Sequence, residues 1–127
     1  MMRPTYHNRR FRSFATTGNG EVDAATLFLY QEEADVIWAD YSGGEIARGH
    51  LLGIVCPDGS LEFRYHHVNR DGELRTGTCV STPEVLPDGR LRLHEAWQWT
   101  SGDGSSGESV IEEVAAPSST MESDGNA

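Results

Sequence analysis

Residues 49–72 read GHLLGIVCPDGSLEFRYHHVNRDG, two Asp-Gly turns enclosing a run in which apolar and polar side chains alternate. Pro57-Asp58-Gly59 and Arg70-Asp71-Gly72 each fit a three-residue hairpin loop, a type I turn followed by a glycine in the left-handed conformation. Pro87-Asp88-Gly89 repeats the pattern further on. A turn of this kind dictates pairing register. The first sets Gly53 opposite Phe63, Leu51 opposite Tyr65 and Gly49 opposite His67. The second sets Tyr65 opposite Gly77, Phe63 opposite Cys79 and Leu61 opposite Ser81, and the third sets Ser81 opposite Glu95, Cys79 opposite Trp97 and Gly77 opposite Trp99.

Opposed residues share a face of the sheet, so three turns carry one parity through four strands. One face collects Leu51, Val55, Leu61, Phe63, Tyr65, Leu91, Leu93, Trp97 and Trp99, and the other collects Glu62, Arg64, His66, Arg90, Arg92, His94 and Gln98. The apolar face is the interior. Gly49, Gly53 and Gly77 stand opposite its largest side chains, as a narrow barrel requires.

Working outward, turn signals recur at Gly18-Asn19-Gly20, Glu33-Ala34-Asp35, Ser42-Gly43-Gly44 and Ser101 to Gly107. With the three Asp-Gly turns they separate eight runs rich in aromatic and β-branched residues, and none of these runs has helical periodicity. Short loops make sequential strands antiparallel neighbours, and closure of eight removes every exposed edge. The chain is therefore predicted to be all-β, an eight-stranded antiparallel up-and-down (meander) barrel. Parity through the earlier turns adds Phe28, Tyr30, Ile37, Ala39, Tyr41 and Ala47 to the inside and leaves Leu27, Leu29, Trp38, Leu52 and Ile54 outside. That outer patch around Trp38 reads either as a homo-oligomer interface or as scattered surface hydrophobes. The barrel domain is expected over residues 9–115, with residues 1–8 and the polar tail 116–127 disordered.

At 127 residues there is room for one core. Twenty acidic against ten basic residues give a formal net charge of −10, which argues against nucleic acid and membranes as partners. Met1 to Phe14 lacks the apolar run of a signal peptide, and two cysteines, Cys56 and Cys79, make neither a disulfide framework nor a paired zinc motif. A cytoplasmic protein with reduced thiols and no cofactor is expected.

The interior is more polar than stability alone calls for. Tyr41, Tyr65, His67, Ser81 and Glu95 accompany Phe63, Trp97 and Trp99 there. Buried polar groups cost roughly 1–3 kcal/mol each unless partnered, so they either satisfy one another or line a cavity for a small polar molecule. Odd-numbered loops share one end of the barrel, and Tyr41, His67 and Trp99 lie near it, which makes that end the mouth. The seventh loop is taken as the longest. If the protein is an enzyme, Glu95 or His67 is the candidate base, with Ser81 beside Glu95. Cys79 reads as packing rather than nucleophile. His50 and His66 fall opposite each other on the outer face, but two ligands hold a metal poorly and no metal is assigned.

Phe63 to Asn69 and Arg90 to Asp103 carry two resemblances. Over about residues 10–114 the chain resembles short bacterial proteins labelled N-acetylglutamate synthase, which implies acetyl transfer to glutamate; the sequence contains no glycine-rich loop at a helix start of the kind that cradles a pyrophosphate. The same segments resemble avidin, an eight-stranded barrel that binds biotin at its mouth. Trp97-x-x-Thr100-Ser101-Gly102 is similar to the avidin-type Trp-x-x-Thr-Ser-Gly, whose Trp lines the ligand site, and Tyr41 is similar to the Tyr that reaches the biotin ureido oxygen. The segment Glu108 to Val114 has no counterpart of the Trp that avidins lend to a neighbouring subunit. Three readings follow. The leading one is a small-molecule-binding barrel walled by Phe63, Tyr65, Trp97 and Trp99, with Tyr41, His67, Ser81 and Glu95 as polar contacts. The others are an enzyme of the acetyltransferase kind and an interaction module acting through the outer patch.

Overall fold

The computed structural model describes residues 3–114. Eight strands, β1 (Arg9–Thr16), β2 (Leu27–Glu33), β3 (Val36–Gly43), β4 (Ile46–Val55), β5 (Leu61–Asn69), β6 (Leu74–Val85), β7 (Leu91–Trp99) and β8 (Ser106–Glu113), follow in chain order around a closed barrel. Every neighbouring pair is antiparallel, β1 closing on β8.

The three Asp-Gly turns set the register as their chemistry demands. Gly59, Gly72 and Gly89 all have φ between 80° and 90°, and each N–H bonds back to the carbonyl three residues earlier, on Cys56, Asn69 and Leu86. Gly49 faces His67, Tyr65 faces both Leu51 and Gly77, and Cys79 faces Trp97. All the inward residues expected from these turns point inward. The β2–β3 turn is tighter. Ala34 and Asp35 both take positive φ, 52° and 65°, so a two-residue loop joins Glu33 to Val36 without glycine.

Three expectations are corrected. Ala47 is exposed, because the register of β4 against β5 shifts between Ile46 and Arg48 and turns Ile46 inward instead. The β1–β2 connection, residues 17–26, is longer than the β7–β8 connection, residues 100–105. Residues 3–8 pack onto the barrel: Tyr6 is fully buried and donates its hydroxyl proton to the Gly59 carbonyl at 2.8 Å, while Arg3 bonds Glu32 and Asp35. One tyrosine in an otherwise polar segment has no periodicity to announce it. The tail 116–127 lies outside the described residues.

Side chains fill the two ends differently. Phe11, Tyr30, Ile37, Leu61, Leu91, Leu93 and Ile111 close-pack one end, beneath which Tyr6 sits. At the other end, where the odd-numbered loops gather, an internal space remains. Outside, Val36, Trp38, Leu52 and Ile54 form one patch, since Val36 pairs with Ile54 and Trp38 with Leu52; Leu52 and Ile54 are each more than half exposed.

Candidate functional site

The space is a cavity of about 50 Å³ bounded by Phe28, Tyr41, Leu51, Phe63, Tyr65, His67, Cys79, Glu95, Trp97, Trp99 and Ser109, with Gly20, Glu21 and Val22 of the β1–β2 connection over it. Seven of the eight residues expected at the site, Tyr41, Phe63, Tyr65, His67, Glu95, Trp97 and Trp99, line it together. Ser81 does not. It faces Glu95 across β6–β7 but is wholly buried outside the cavity wall, its hydroxyl unpartnered among the described residues, because the hydroxyl that reaches Glu95 belongs to Ser109 on β8 at 3.0 Å.

Aromatic rings build the walls. Trp97 and Trp99 meet edge to face at 5.4 Å, Tyr65 and His67 each meet Trp99 at 5.8 Å, and Phe28 stacks on Tyr41 at 4.9 Å. Backbone approach makes room for them. A Cβ on Gly49 would stand 2.5 Å from the Tyr41 ring, and one on Gly77 would stand 2.2 Å from the Tyr65 hydroxyl, so neither position accepts a larger residue without displacing a wall.

Polar groups sit at both ends of the cavity. Glu95 is inside, presenting its accessible surface to the cavity; burial pushes its pKa up to about 7 against the opposing bond from Ser109. At the mouth, His67 is 2 % exposed and bonded through both ring nitrogens. Burial raises the Tyr41 pKa far above the usual phenol range, so that hydroxyl keeps its proton and donates it to His67 Nδ1 at 3.0 Å. A carboxylate only accepts, so His67 Nε2–H donates to Glu21 Oε1 at 2.8 Å. Burial lowers the His67 pKa despite the neighbouring carboxylate, which favours the neutral imidazole with its proton on Nε2 and Nδ1 as acceptor.

Glu21 is held from its other oxygen too. Arg75 Nη1 donates to Oε2 at 2.6 Å and Asn69 Nδ2 at 3.2 Å. Arg75 is itself placed by Trp99 and Ser101: its guanidinium lies 4.0 Å over the Trp99 ring and its Nε donates to Ser101 Oγ at 3.3 Å. Asn69 is fixed by the β5–β6 turn, where its Oδ1 accepts the N–H of Asp71 and of Glu73.

Sequence reasoning misses Glu21, Asn69, Arg75 and Ser109. Arg75 and Asn69 were within reach, since the parity that turns His67 inward also turns Asn69, and Arg75 pairs with His67 two residues beyond the Tyr65–Gly77 pair. Glu21 comes from an irregular connection and has no periodicity to follow. His50 and His66 pair on the outer face with ring centroids 6.1 Å apart, and the His50 Nδ1 contacts Asp40 rather than a shared ion site. Burial raises the Cys79 thiol pKa far above its usual range, which leaves it protonated packing.

An all-antiparallel closed meander barrel with an aromatic cavity at one end, polar at its floor and at its rim, defines the class to which this molecule belongs. Residues 4–114 match the family model described as avidin-like protein, and the chain belongs to that family. No curated protein matches the sequence.

Proposed function

We propose that the barrel binds a small molecule in this cavity, between the Glu95 carboxyl at the floor and the His67–Arg75 rim. The observation that carries the reading is Glu95, an ionisable group on the wall of an aromatic cavity with Ser109 as its one hydrogen-bonding side chain among the described residues. Membership of the avidin-like family supports it. Tyr41, Tyr65 and His67 orient the ligand, and Phe63, Trp97 and Trp99 provide apolar area. In its closed form the cavity holds only a few water molecules, so binding requires the β1–β2 connection to move aside. Acetyl transfer to glutamate draws no support from the family match or from this site. The two cysteines are unpaired, which fits a reducing, cytoplasmic setting.

A thermal-shift screen of biotin-like ureides, amino acids, acyl-CoA and common metabolites tests the proposal, because a ligand that prefers the native state raises its melting temperature. A shift that Trp97→Ala or Tyr41→Phe abolishes is the expected result. No shift across the set moves the function to the outer face, where Val36, Trp38, Leu52 and Ile54 offer an apolar surface for a second copy of the chain.

A further inference from the structure

Glu21 is bonded as a bound ligand would be. Both carboxylate oxygens are engaged, Oε1 by His67 and Oε2 by Arg75 and Asn69, and all three donors are anchored by groups other than Glu21 itself. His67 is fixed by Tyr41, Arg75 by Ser101 and the Trp99 face, and Asn69 by its own turn and by Glu73 Oε1 at 2.8 Å. The donors stand on strands β5 and β6, whereas the acceptor stands on the irregular connection. Among the described residues, neither the N–H nor the carbonyl of Glu21 makes a hydrogen bond, so its side chain does the holding. The Glu21 and Arg75 side chains remain 18 % and 19 % exposed, which leaves the contact open to solvent at one edge.

We propose that His67, Asn69 and Arg75 form a carboxylate clamp, that Glu21 is its resident occupant, and that a ligand's own carboxylate displaces Glu21 when it enters the barrel. The inference rests on the small-molecule reading and specifies its ligand class: a monocarboxylate whose remaining body lies among Tyr65, Trp97 and Phe63 and reaches toward Glu95. The clamp suits a planar carboxylate because one guanidinium and two neutral donors meet two oxygens. A phosphate dianion fits worse, since Glu73 stands beside Asn69 and the chain carries a net charge of −10. The exchange also explains a cavity too small for a metabolite, because the residue that closes the mouth mimics the group that opens it.

Substituting Glu21→Ala empties the clamp, and propionate is the probe. Propionate raises the melting temperature of the variant, propionamide at equal concentration and ionic strength does not, and Glu21→Ala with Arg75→Met loses the response. Wild type responds with an apparent affinity about tenfold weaker, because its own carboxylate competes for the donors. Glu21→Gln, which preserves the shape of the connection, falls between the two and serves if the alanine variant does not fold. Equal shifts with propionate and propionamide, or a wild type that responds as strongly as Glu21→Ala, overturn the clamp. An uncharged metabolite that binds wild type and depends on Trp97, with no propionate response in Glu21→Ala, overturns the clamp and keeps the binding barrel. A propionate response with no Trp97-dependent ligand leaves a carboxylate site at the rim and overturns both the cavity reading and the placement of a ligand's body inside the barrel.

Discussion

Glu95 carries a free-energy signature that can be read without knowing the ligand. Its pKa in the folded chain is about 7 against an ordinary 4.5, so between those values the native state holds a proton that the unfolded chain has lost. The stability it contributes is present in full below the unfolded value and is lost as pH rises through 7. Denaturant unfolding at pH 5 and pH 8 is therefore expected to show wild type losing roughly 3 kcal/mol relative to Glu95→Gln over that interval. Buried His67 has a lowered pKa and gives the opposite slope, but it is common to both proteins and cancels in the difference. A wild type and variant with parallel pH profiles would mean that Glu95 is ionised throughout. Glu95 was legible from sequence as an inward carboxyl because turn chemistry set its parity. Its partner was not, since choosing Ser109 over Ser81 depends on where β8 closes the barrel.

Among the elements, the hairpins with glycine at the left-handed position could be paired residue by residue from sequence. The others were less legible for local reasons. A bulge at Ala47 breaks the alternation of β4, and the β1–β2 connection folds over the mouth with no repeat that would place Glu21. The β2–β3 turn carries strain that sequence alone does not show. Ala34 holds φ of 52°, where a Cβ crowds the following carbonyl at a cost of about 1–2 kcal/mol. Ala34→Gly is expected to raise stability by about 1 kcal/mol, seen as a higher denaturant midpoint with unchanged slope. Asp35 should be kept, because it accepts a bond from Arg3 at 2.8 Å and ties the N-terminal segment down. A lower midpoint would show that the turn relaxes in solution to a conformation that suits alanine.

At the scale of the molecule, closure removes strand edges, so the eight described strands leave no open edge for pairing with another chain. The acidic chain presents an apolar patch on β3 and β4, where Leu52 and Ile54 are 54 % and 51 % exposed beside Trp38. Light scattering is expected to report a multiple of the chain mass for wild type and a single chain for Leu52→Lys with Ile54→Lys. A wild type that runs as a single chain removes this face from consideration as a self-interface.

The closing of β1 against β8 also places the start of β1 and the end of β8 side by side, the Val114 N–H bonding the Arg10 carbonyl at 2.8 Å, at the end away from the cavity. A fusion partner or immobilising tether attached through either end therefore projects away from the mouth. A circular permutant that joins these ends and opens at Pro87-Asp88-Gly89, on the same side, would keep every loop around the cavity covalently whole.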